Sequence, residues 1–157
     1  MTSEPSDVRA HRIVVGVDGS ESSKAALAWA VRQAGLTGAV VEAVIAWELP
    51  YAYGYPAPIS LSGVDFEQLA AKVVSDAIAE VTGATAAAGE VRYKVVGGNA
   101  AGVLLSESAD ADLLVVGSRG HGGFVEALLG STGQHCVRHA SCPVVVIRDS
   151  ATGPPRP

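Results

Sequence analysis

The chain has 157 residues, of which 48% are hydrophobic, with a mean hydropathy of +0.30 and a formal net charge of −5. That is one domain's length with enough apolar content for a core, and the acidic balance lacks the electrostatic footprint of a nucleic-acid binder. The polar start, MTSEPSDVRAHR, has no secretory h-region, and no apolar run approaches the ~20 residues needed to span a bilayer, so the expectation is a cytoplasmic protein without membrane contact.

Residues 1–11 read as a flexible leading segment. RIVVGVDGS is a β-branched run stopped by Asp-Gly-Ser, and SESSKAALAWAVRQAG then takes up helical period with Leu27 and Val31 four apart. Ser20 is the expected N-cap, and Gly35 with Gly38 the expected end. AVVEAVIAW is a second strand. In ELPYAYGYPAPISLSG the prolines and glycines forbid regular structure, and Tyr51, Tyr53 and Tyr55 are three of the chain's four tyrosines. This long loop is either a lid over a ligand or, the reading favoured here, a proline-stiffened surface loop. Phe66, Leu69, Val73, Ala77 and Val81 fit one face of a long helix from about Asp65 to the alanine-rich stretch before Gly89.

EVRYKVVGG reads as the third strand, NAAGVLLSESADA as a short helix with Asn99 near its cap, and DLLVVG as the fourth strand. A glycine-rich stretch follows, then a helix starting near Ser131, then CPVVVIR as the fifth strand, and a disordered tail over 149–157. Strands and amphipathic helices alternate, which implies one α/β domain over residues 12–148: an open five-stranded parallel sheet with helices on both faces.

In such a sheet, ligands bind beyond the carboxyl ends of the strands, where strand order reverses. The first strand ends in Gly16, Val17 and Asp18, and the fourth in Gly117 and its loop. If those strands are neighbours, Asp18 and the loop face one another. Glycines let backbone N–H groups approach an anion, and a helix N-terminus carries partial positive charge, so Gly130, Ser131 and Thr132 are placed to receive phosphate oxygens. Arg119 and His121 are the potential cations of the loop. A Walker motif with its lysine is missing, which favours binding over rapid phosphoryl transfer.

The spacing Gly117-x2-Gly120-x9-Gly130-Ser131 resembles the ATP-binding signature of the universal stress protein family. IVVGVDGSESSKAALAWA, DLLVVGSRGHGG and LLGSTGQHCVRHASCPVVVI follow in family order, extending the resemblance from about Arg12 to Arg148. It implies a Rossmann-like sheet of the adenine nucleotide alpha hydrolase type, in strand order 3-2-1-4-5, with ATP as ligand, with or without Mg2+. Asp18 would touch the ribose or metal side, Gly16 would line the pocket, and the backbone of Ala46 would meet adenine. Gly117, Ser118, Arg119, Gly120, His121, Gly122, Gly123, Ser131 and Thr132 would hold ribose and phosphates. One departure stands out: Gly133 in the first helical turn costs about 1 kcal/mol relative to alanine and implies a looser helix start. Family members commonly dimerise through the last strand, and an uncharged β-branched edge invites pairing, so a homodimer through Val144, Val145, Val146 and Ile147 is expected.

Other chemistries fit less well. Gly16 stands where haloacid-dehalogenase phosphatases place their nucleophilic aspartate, a response regulator would end its third strand in aspartate rather than VVGGN, and a dehydrogenase would carry G-x-G-x-x-G after the first strand. Asp18 also has a plain reading as a turn residue opening the helix. His135 and His139 have a chelating spacing but no accompanying H-E-x-x-H glutamate, so no metal is assigned. Cys136 and Cys142 read as small buried residues rather than a redox pair. The resulting expectation is an ATP-binding, nucleotide-dependent stress-response or signalling module without a catalytic residue. The alternatives are a slow ATP hydrolase and a nucleotide-independent dimeric interaction module.

Overall fold

The computed structural model describes residues 11–48, 65–83, 90–119 and 129–148, and the backbone alone of 51–52 and 55–56. The leading segment up to residue 10, most of the tyrosine loop, the alanine-rich stretch over 84–89, Gly120, His121, Gly122, Gly123 and the tail over 149–157 lie outside the described residues.

The elements run β1 (Arg12–Gly16), α1 (Glu21–Thr37), β2 (Val40–Trp47), β3 (Tyr51–Ala52), β4 (Tyr55–Pro56), α2 (Phe66–Gly83), β5 (Val91–Gly97), α3 (Ala100–Glu107), β6 (Leu113–Gly117), α4 (Ser131–His139) and β7 (Val144–Ile147). The main sheet has the order β5-β2-β1-β6-β7, with every pairing parallel. In terms of its own five strands this is 3-2-1-4-5, the expected order. β1 lies at the centre, registered with β2 on one side and with β6 on the other, so Val15 stands between Ala43 and Val115. Strand order reverses between β1 and β6.

Alternation along the strands divides the core in two. Ile13, Val15, Val17, Val41, Ala43, Ile45 and Val115 pack with Leu27, Ala30 and Val31 of α1 and with Val74 and Ala77 of α2. Val14, Val44, Leu114 and Val116 pack with Val103 and Leu104 of α3 and Cys136 of α4. Strands buried on both faces must be apolar at consecutive positions, which is why β1 and β6 read as continuous runs and the edge strand β5 does not.

Three sequence expectations change in detail. Helix α1 continues through Gly35, which is exposed, and stops at Gly38, whose φ of 76° and N–H donation to the Ala34 carbonyl make it the left-handed cap. The buried stripe of α2 is Ala70, Val74, Ala77 and Val81, while Leu69 and Val73 are 54% and 37% exposed. Prolines and glycines do not exclude all regular structure after β2, because β3 and β4 pair antiparallel, Tyr51 with Pro56 and Ala52 with Tyr55. Two residues separate them, the spacing of a tight hairpin, and a two-residue edge tolerates proline.

At the amino ends of the strands, Arg12 gathers the sheet. Its guanidinium donates to Glu42 of β2 at 3.2 Å and to the Glu107 carbonyl at the end of α3 at 2.8 Å, while its backbone N–H donates to Asp112 at 2.8 Å. The carboxyl ends are left to form the site.

Candidate functional site at the switch point

The crevice opens where β1 and β6 diverge, and two helix N-termini flank it. Beyond Gly16, the β1 ladder continues with Val17 donating to the Val44 carbonyl at 2.9 Å, and Asp18 then begins the turn into α1. Oδ1 of Asp18 accepts the Ser20 N–H at 2.8 Å, an Asx turn, so the plain reading of this residue holds as a structural duty. Ser20 is the N-cap, accepting the Ser23 N–H at 3.2 Å, and the Ser23 hydroxyl donates to the Ser20 carbonyl while accepting the Asp18 N–H. This turn is fixed before any ligand arrives.

The opposite wall comes from β6. A Cβ at Gly117 would lie 2.7 Å from both the backbone carbon and oxygen of Ser22, so only glycine lets the first turn of α1 rest on the end of β6. Ser22 is itself buried, and its hydroxyl accepts the Arg119 N–H at 3.2 Å. That hydrogen bond ties α1 to the loop after β6 across 97 residues of sequence. Ser22 and Ser23 were missed in reading the sequence. Their signal was available: the small buried stripe Ala26–Ala30, traced back one turn, lands on Ser22, and Leu27–Val31 lands on Ser23.

Ser118 connects the two halves of the glycine motif. It is buried, its N–H donates to the Ile147 carbonyl of β7, and its carbonyl accepts the Gly130 N–H, each at 2.8 Å. Gly130 is the N-cap of α4, as the sequence places it at the helix start, but its N–H is engaged by Ser118 and not directed at a ligand. The amides that remain are those of Ser131, Thr132 and Gly133, which as the first three helical residues have no intrahelical acceptor. Among the described residues no other acceptor meets them. Helix α4 also has no side-chain cap and no acidic residue in its first turn, whereas α1 carries Glu21 there, so α4 offers the uncompensated positive end. Gly133 has its own packing reason: a Cβ would meet Leu129 Cδ1 at 2.7 Å and the Gly117 carbonyl at 3.8 Å. Glycine at this position thus brings the helix start close to Leu129 and to the end of β6, alongside its cost in helix propensity.

Gly16 and Ala46 fall on the α3/α4 side of the sheet. A Cβ at Gly16 would meet Leu104 Cδ1 at 2.8 Å, and Ala46 packs beside the α3/α4 core while registering with Val96. The structure therefore brings Gly16, Asp18, Gly117, Ser118, Arg119, Gly130, Ser131 and Thr132 to the carboxyl ends of adjacent strands, with Ala46 at the end of β2. Lys24 is held away from this role by Glu80 at 3.0 Å and Glu21 at 3.3 Å, whose hydrogen bonds raise its pKa. Among the described residues no group of three potential metal ligands occurs, and no helix is long and apolar enough to cross a membrane.

Fold and crevice together define a doubly wound α/β protein whose site is made of backbone amides and small residues at a topological switch point. The chain belongs to the universal stress protein family, whose sequence profile matches residues 9–148. It is 34% identical over 148 residues to the universal stress protein Rv2623 of Mycobacterium tuberculosis, an alignment covering 92% of this chain and 50% of that protein. The chain thus spans about half the length of the curated relatives it matches. The solved structure of the universal stress protein UspA from Lactobacillus plantarum superimposes with a TM-score of 0.72 at 26% identity, covering 90% of this chain and 100% of that one. A universal stress protein in complex with cAMP shares the fold with a TM-score of 0.65 at 24% identity, covering 90% and 98%.

Proposed function

We propose that this chain binds an adenine nucleotide, ATP first among them, in the β1/β6 crevice and acts as a nucleotide-dependent stress-response or signalling module. The observation that carries this reading is the start of α4: three consecutive amides with no acceptor among the described residues, with no acidic residue in the first turn and no side-chain cap, held against the end of β6 by the Ser118–Gly130 hydrogen bond. Phosphate oxygens sit on Ser131 and Thr132 beside Arg119, and the family signature assigns Gly120, His121, Gly122 and Gly123, outside the described residues, to the same ligand. Ala46 leaves room for the base because its side chain ends at Cβ, and Gly16 lets Leu104 close the floor beneath it. Asp18 is the carboxylate at the crevice, suited to the ribose or to a Mg2+ ion otherwise ligated by phosphate oxygens and water.

The chain has no Walker lysine, and Asp18, the carboxylate at the crevice among the described residues, already accepts the Ser20 N–H, so binding and not hydrolysis is the function proposed. The bound cAMP of the fold neighbour supports the adenine assignment by analogy. A cytoplasmic location fits the two free cysteines. Assembly is a homodimer through β7: both β5 and β7 are sheet edges, but β5 exposes Arg92, Tyr93 and Lys94, while β7 is Val-Val-Val-Ile.

The test is to denature freshly purified protein, identify any released nucleotide, and measure thermal shifts with added ATP, ADP, AMP and cAMP. Adenine nucleotide release or a saturable shift, lost in Gly120→Val, is the expected result. No nucleotide and no shift would leave the nucleotide-independent interaction module.

A further inference from the structure

We infer that His135 and His139 form a two-point chelate for a borderline divalent transition-metal cation, Zn2+ or Cu2+, near the C-terminal end of α4. The two imidazoles stand one turn apart with ring centroids separated by 4.6 Å and planes tilted by 46°. Two ring nitrogens each about 2.0–2.1 Å from a shared cation lie roughly 3 Å from one another. Rings already this close reach that arrangement by side-chain rotation, with the helix backbone unmoved. Both residues are exposed, and among the described residues neither ring is engaged in a hydrogen bond or ion pair. A cation therefore arrives from water without breaking packing.

The chemistry of the donor set selects the metal class. Neutral imidazole nitrogens favour Cu2+, Zn2+ and Ni2+ over Mg2+ or Ca2+, which take oxygen ligands. The helix dipole places negative potential at the same end. Arg138, three residues after His135, opposes the cation. With no third potential ligand among the described residues, water completes the shell, and affinity rests on the second imidazole binding as an intramolecular ligand. The clip spans the last turn of a nine-residue helix, so binding also stabilises α4.

The experiment uses the full chain without a histidine tag, titrated with ZnCl2 and CuCl2 by calorimetry and followed by thermal unfolding. One cation per chain and a raised unfolding temperature are expected. His135→Ala and His139→Ala each lose about a hundredfold in affinity, His11→Ala loses nothing, and Arg138→Gln binds more tightly. Because both histidines are exposed, the variants keep the metal-free unfolding temperature and far-ultraviolet spectrum of the parent. Equal binding by the parent and the His135→Ala/His139→Ala double variant, or no binding by the parent at millimolar metal, overturns the proposal.

Discussion

Gly117 and Gly133 look alike in sequence and differ in what surrounds them. At Gly117 the obstacle to a side chain is the backbone of Ser22, which has nowhere to go, so Gly117→Ala is expected to destabilise by about 1–3 kcal/mol. At Gly133 the obstacle is the end of the Leu129 side chain, which can rotate, and the helix gains about 1 kcal/mol of propensity. Gly133→Ala should therefore melt close to the parent, and differential scanning calorimetry of the pair separates the two cases. Ser22→Ala removes the acceptor of the Arg119 N–H and should cost about 1–2 kcal/mol. It should also weaken nucleotide binding, because the loop start loses its anchor, and titration calorimetry on the folded variant checks that. The sequence marks Gly117 as a glycine where a backbone must come close. It does not tell whether the approaching group is a phosphate or a helix, and here the described neighbour is a helix. Cys136 is fully buried and burial raises its thiol pKa above the ordinary 9.0. A raised value in the folded state means that its stabilising contribution is complete below about pH 9 and is lost as pH climbs through the folded-state value. Burial raises the Cys142 thiol as well, so exposure sets the order, and native-state alkylation should label Cys142, half-buried, before Cys136.

Helix α2 shows where periodicity stops being decisive. Val73 and Val74 are adjacent, and both the 69–73–77 and the 70–74–77 stripes satisfy a helical period, so only the sheet beneath decides. The sheet chose Val74, which has no exposed surface, while Val73 is 37% exposed. Val74→Ala is expected to cost about 1.5–3 kcal/mol and Val73→Ala under about 0.5 kcal/mol, measured by urea unfolding. β1, β2, β6 and β7 were legible as short, mainly apolar β-branched runs in an alternating pattern, and β5, which carries Arg92 and Lys94, from its Val95-Val96 end and its place in that alternation. The short β3/β4 pair was not, since its residues carry the punctuation that marks loops. β7 permits a sharper test of assembly. Pro143 and Ile147 direct their carbonyls at β6, so alternation turns the N–H of Val146 outward, to the unpaired edge. Val146→Pro should keep the fold, remove that donor and shift the light-scattering mass from dimer to monomer.

The molecule as a whole is organised as two poles of one sheet. The carboxyl ends carry the crevice, and the amino ends carry the Arg12 cluster with Glu42, Asp112 and the end of α3. Arg12→Gln should lower the unfolding temperature, by about 1.5–3 kcal/mol of lost charge-assisted bonding, and leave nucleotide affinity unchanged. The strand order and the switch point became certain only in the structure, because no local pattern says that β1 pairs with β6. That pairing also shapes how the protein is made. The Arg12 amide finds Asp112 at a separation of 100 residues, and at about 5–20 residues per second a ribosome needs roughly 5–20 s to cover that distance. Once β2 has been made, the central strand has β2 on one flank and an unpaired flank on the other until β6 follows. The core of the finished protein is thus, during synthesis, its most adhesive edge, and the nascent chain is where a chaperone would be needed.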